Sequence, residues 1–183
     1  MLHYDPGMQI VFPEIHWQEL IEHCRRKLTG EYLNRETPEK KAYGMIAGTL
    51  SEKIMEVGGC FPLRKNVRTQ QPYKDSIDLL MQRHAVRSVT SLDKRGWVAD
   101  PDEWEAVLEK CRNNNLILLG TYHMHRVAWD HDQERDTPTK LDGILGNKSR
   151  MFMFIVSMVK PEKPIVRAFY EGDISREAEV IRR

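Results

Sequence analysis

From Pro13 onward the apolar residues Trp17, Leu20, Ile21, Cys24 and Leu28 recur at steps of three and four, the period of one helix face. They predict a helix over about Glu14 to Leu28, after an extended start that ends at Val11-Phe12. Polar residues from Gly30 to Lys41 then form a connection. The run Tyr43 to Thr49 reads as a buried strand, with glycines where backbones or a ligand come close. A second strand, about Lys53 to Phe61, should pair with it as a hairpin. Between Asn66 and Arg95 the pattern weakens around a helix over about Asp75 to Ala85, which carries Ile77, Leu80 and Met81. Asp100-Pro-Asp-Glu103 is a strong helix start: Asp as N-cap, Pro at the first helical position and Glu three residues after the cap. Trp104, Val107, Leu108 and Cys111 line the buried face of that helix.

Leu116 to Tyr122 is a compact apolar run suited to a central strand, and it leads directly into His123-Met-His125. Met151 to Val159 is another apolar strand and Pro164 to Glu171 an edge partner, while the charged tail Ser175 to Arg183 reads as a short helix or a frayed end. This order implies an α/β (α+β) domain, a mixed β-sheet packed by helices. Residues 1–183 read as one domain, with 67–96 as an insertion or flap.

A chain of 183 residues can bury a continuous core without disulfide staples. Its 28 basic and 27 acidic residues give a net charge of +1, so no general electrostatic pull draws it to nucleic acid or an anionic membrane. Cys24, Cys60 and Cys111 are odd in number and far apart, which speaks against a disulfide framework and for reduced thiols. With no signal-type segment and no apolar stretch near the ~20 residues of a membrane span, the expectation is a soluble, cytoplasmic protein.

The chemistry concentrates after the central strand. Side chains alternate along an extended segment, so His123 and His125 share a face and Met124 points to the other. Thr137-Pro138 reads as an N-cap and first helical position, after which Thr139 and Asp142, three apart, share a helix face. Two histidines and one aspartate would complete three protein ligands for a zinc ion. An H-x-H alone is a weak signal, more often surface or hydrogen-bonded histidines, and the following hydroxyl and carboxylate are what raise it.

These residues, taken in order, resemble the JAB/MPN (JAMM, Mov34/PAD-1-like) metalloprotease family, whose members carry H-[S/T]-H, then seven residues, then S-x-x-D. Pro38-Glu-Lys-Lys-Ala-Tyr-Gly44-Met-Ile-Ala-Gly48 resembles the family's upstream strand, Phe61-Pro-Leu-Arg-Lys-Asn66 the end of its hairpin, Trp97-Val-Ala-Asp-Pro101 its helix start, and Leu119 to His125 its central strand. The resemblance implies a JAB/MPN (cytidine-deaminase-like) architecture and hydrolysis of a peptide or isopeptide bond, with Zn2+ as cofactor. It implies as partner a protein or peptide substrate, such as the C-terminal tail of a ubiquitin-like or sulfur-carrier protein; an inactive interaction scaffold is the alternative it leaves open.

By the same resemblance His123, His125 and Asp142 are the metal ligands and Thr139 stabilises the oxyanion. Strict family spacing lands instead on Asp136, preceded by Gln133, whereas Asp142 requires a loop six residues longer. His131 in that loop is a further possible ligand or a solvated side chain, and Trp97 and Trp129 are pocket walls or packing residues. Where the family carries its glutamate base this chain has Lys41; Glu39 is the substitute candidate for the base and Glu36 a weaker one.

Overall fold

A computed structural model describes residues 2–128 and 136–183. Seven strands form, β1 (Gln9–Phe12), β2 (Tyr43–Ser51), β3 (Ile54–Pro62), β4 (Ile117–His125), β5 (Phe152–Ser157), β6 (Ile165–Tyr170) and β7 (Glu177–Arg182). Four helices accompany them: α1 (Glu14–Thr29), α2 (Tyr73–His84), α3 (Pro101–Asn113) and α4 (Lys140–Gly146). The strands lie in the order β1-β3-β2-β4-β5-β6-β7, and β7 returns to pair with β1, so the sheet closes on itself as a barrel.

Closure corrects the expected architecture. The sheet is mixed, since β1–β3, β1–β7 and β4–β5 are parallel and the remaining neighbours antiparallel. It is nevertheless a closed seven-stranded barrel with four helices, not an α/β JAB/MPN sheet packed by helices. The sealing strands are the two least marked in sequence. β1 has four residues, and β7 alternates Glu177 and Glu179 with Ala178 and Val180 before ending on Arg182; the tail read as a short helix or frayed end pairs in register from Gln9–Glu179 to Phe12–Arg182.

Hydrophobic burial divides between two faces of the sheet. On one, Leu20, Ile21 and Cys24 of α1 pack with Ile10, Phe12, Ile46, Tyr122 and Phe154, and Ala42 and Met124 join them. On the other, Val107 and Cys111 of α3 pack with Met45 and Ala47. The Asp100 N-cap forms as its sequence dictates, its carboxylate accepting from the Glu103 amide at 3.2 Å. With Tyr122 and Met124 on the α1 face, strand alternation puts Thr121, His123 and His125 on the face that α3 shares.

Candidate metal centre

His123 and His125 stand at the end of β4 with their Nε2 atoms 2.9 Å apart and ring planes tilted by 52°. Met124 between them packs into the α1-side core, so its side chain leaves the histidine face untouched. α4 supplies the third group: His123, His125 and Asp142 each offer a ligand atom, all within 4.8 Å of one another. His125 is buried and the other two are partly exposed.

Two features fix Asp142. Thr139 is the N-cap of α4 and forms a capping box with it: the Thr139 amide and hydroxyl both donate to Asp142 Oδ2, at 2.7 and 2.8 Å, while the Asp142 amide donates to Thr139 Oγ1 at 3.3 Å. Both bonds fall on Oδ2, leaving Oδ1 to offer a lone pair to a cation. The helix also lies against the β6–β7 turn so closely that a Cβ on Gly146 would sit 2.5 Å from the Glu171 carbonyl oxygen. Zinc in tetrahedral geometry, with ligand bonds of ~2.0–2.1 Å, sets its donor atoms ~3.3–3.4 Å apart. The histidine nitrogens need to open by tenths of an ångström and the carboxylate to close by at most about 1.5 Å, both within side-chain rotation, so this donor set fits the ion.

The other expected residues fall elsewhere. Asp136 pairs with Arg167 of β6 at 3.3 Å, and Arg167 is further held by Glu177. Glu36 accepts two hydrogen bonds from Arg26 of α1, at 2.6 and 2.9 Å. Glu39 accepts from Asn66 Nδ2 at 2.9 Å and pairs with Lys41 Nζ at 3.1 Å. The Thr139 hydroxyl, expected to serve an oxyanion, is directed at Asp142. Trp97 stacks on Tyr43 with ring centroids 5.8 Å apart. Trp129 and His131 lie outside the described residues.

Three neighbours of the histidines escape motif reading. Tyr43 is level with His123 across the β2–β4 ladder, and Met124 N donates to Ala42 O at 3.0 Å, so Tyr43 and His123 form a close pair without direct backbone bonds, their side chains adjacent. Burial first, and then the Asp142 carboxylate, push the Tyr43 phenol up, against a hydrogen bond with Thr121. Ser157 of β5, buried, is level with His125. Lys41 lies one residue before Ala42, whose carbonyl accepts from Met124 N, so the β2–β4 register carried one step further sets it opposite His125. The hairpin register does not find them, because the β2–β4 and β4–β5 pairings that place them are long-range.

No family model and no curated protein matches this sequence. Among solved structures, the solution structure of protein DSY2949 from Desulfitobacterium hafniense, a structural-genomics target, is similar with a TM-score of 0.60 at 20% identity. The similarity spans 95% of this chain and 92% of that one. It shows a shared fold over that span.

Proposed function

We propose that this chain is a zinc-dependent hydrolase of peptide or isopeptide bonds. The observation that carries the reading is the convergence of His123, His125 and Asp142 within 4.8 Å, from a strand end and a capped helix, with His125 and Asp142 17 positions apart. The order of these donors resembles the JAMM motif, which supports the reading independently of the fold. A zinc ion held there supplies Lewis acidity and lowers the pKa of a coordinated water toward ~7. The chain's own part is to orient: Asp142 is fixed by Thr139, and His123 and His125 by β4. An extended substrate tail, such as the C-terminus of a ubiquitin-like or sulfur-carrier protein, suits a centre at a strand end. Three free thiols suit the reducing cytoplasm, and no helix among the described residues is long and apolar enough to cross a membrane.

A second reading has its own support. Among the described residues the potential metal-ligand cluster holds Asp142 as its one carboxylate, and Glu39 is bound to Lys41 and Asn66. That arrangement favours a metal-holding module that serves protein–protein interaction without hydrolysis.

Elemental analysis of protein purified without a metal-binding tag tests the centre. Wild type and Asp136→Ala should carry close to one zinc per chain, and His123→Ala and Asp142→Ala should carry little. Loss of zinc in Asp136→Ala with retention in Asp142→Ala would reassign the third ligand, and a metal-free wild type after zinc supply would sink the hydrolase reading. Given bound zinc, cleavage of a tail-peptide amide separates the enzyme from the module.

A further inference from the structure

The Glu39–Lys41 ion pair immediately precedes β2, the strand whose Tyr43 lies opposite His123, and is tied to the 67–96 excursion. Lys41 Nζ donates to the Gly96 carbonyl at 3.2 Å as well as pairing with Glu39 at 3.1 Å. Asn66 Nδ2 donates to Glu39 Oε2 at 2.9 Å and reaches the same Gly96 carbonyl at 3.4 Å. Asn66 is itself fixed, its Oδ1 accepting from the Arg68 and Val98 amides at 3.1 and 3.0 Å and its amide donating to Thr37 Oγ1 at 2.9 Å. The ammonium and the carboxylate are thus held in place by both feet of the excursion and do not wander as ordinary surface charges do.

Their location gives the pair an electrostatic consequence. Ala42 faces the α1-side core and its carbonyl accepts from Met124 N, one step beyond the Tyr43–His123 pair; the same register carried one residue further sets Lys41 opposite His125, on the side Tyr43 shares. Opposed residues of this kind carry Cβ atoms ~4.5–5.5 Å apart. The donor set brings one negative charge, Asp142, against the two positive charges of a divalent ion. A fixed positive charge beside His125 opposes that ion, and the fixed negative charge of Glu39 offsets the opposition.

We propose that Glu39 and Lys41 set the affinity of this centre for a divalent cation, with Lys41 restraining binding and Glu39 supporting it. The inference rests on the metal-centre reading above and concerns its regulation. The sign does not depend on fine distances: neutralising Lys41 leaves a net negative charge at the rim, and neutralising Glu39 a net positive one.

The test is a zinc titration against a chromophoric chelator for wild type, Lys41→Met, Lys41→Arg, Glu39→Gln, the double variant Glu39→Gln/Lys41→Met, and His123→Ala. Lys41→Met should bind zinc about tenfold more tightly and Glu39→Gln about tenfold more weakly, the size expected when one charge a few residues from a divalent ion is removed in a partly solvated site. Lys41→Arg, which keeps the charge, should stay within twofold of wild type, and the double variant should return close to it. A purely structural role for the pair would weaken binding in both single variants. That result, or zinc binding that depends on His123 and is unchanged in every pair variant, overturns the proposal and leaves the centre standing. Zinc binding by none of the proteins overturns both.

Discussion

His23 lies on the face of α1 that packs under β4, its Nδ1 2.7 Å from the Tyr122 hydroxyl and its Nε2 3.9 Å from Glu36 Oε1. Burial, reinforced by the neighbouring charge of Arg26, lowers its pKa from 6.5 to about 4. The folded protein therefore resists protonating a group that the unfolded chain protonates readily below pH 6.5. Stability is fully present above that value and is lost as the pH falls from 6.5 toward 4. Each pKa unit is worth ~1.36 kcal/mol, so the loss attributable to His23 is about 3 kcal/mol. Urea unfolding of wild type should show that decline between pH 7 and pH 4, and His23→Gln, which does not titrate, should remove most of it. An equally steep decline in His23→Gln would place the acid sensitivity elsewhere. Lys27, one helical turn on, is fully buried with its Nζ donating to the Thr37 carbonyl at 3.0 Å, and desolvation lowers its pKa too. The polar layer under β4 thus anchors the strand that ends in the two histidines, from the face opposite the candidate centre.

At the scale of elements, α4 is short, at seven residues, and holds its place by its ends and its glycines. Thr139→Ala removes the cap and should cost about 1 kcal/mol, while Thr139→Ser should restore it. Because the same hydroxyl orients Asp142, zinc affinity should fall in Thr139→Ala together with the melting temperature and recover in Thr139→Ser. A melting temperature that drops with zinc affinity unchanged would separate the cap from the centre. Helical period, capping chemistry and apolar runs made most elements legible: α1, α3 and β2 to β6 fall within a few residues of their expected positions. Thr137-Pro138 misled by two residues, since Thr139 is the cap and α4 begins at Lys140. That His123, His125 and Asp142 come together was legible in part, because strand alternation fixes the faces of the two histidines and a three-residue step brings Thr139 to Asp142. Asp136 could not be set aside from spacing, because its commitment to Arg167 is a contact with β6, 31 positions away in sequence.

The whole molecule depends on contacts that no local pattern announces. Tyr170 Oη donates to the Leu2 carbonyl at 2.9 Å, the Glu179 amide to Met8 O at 3.2 Å and the Arg183 amide to Phe12 O at 2.9 Å, joining the two ends of the chain across the last seam of the barrel. β1 is too short, and β7 too charged on its outward positions, for sequence periodicity to mark either as essential. Their partners are nonetheless core residues: Ile10 and Phe12 are fully buried, and Ala178 packs in the same cluster. An open sheet would tolerate loss of its last strand as loss of an edge, whereas a closed barrel loses a neighbour on both sides of the gap and exposes β1. A chain ended after Ser175 should therefore bind a hydrophobic dye, lose the dispersed amide spectrum of the folded protein and melt without cooperativity. Arg182→Ala, which removes the exposed pair with Glu14 at 2.6 Å but keeps the strand, should leave stability close to that of the wild type. Were the shortened chain to retain a cooperative transition within a few degrees of the full protein, the seam between β1 and β7 would be dispensable, and β1 to β6 would hold together as an open sheet.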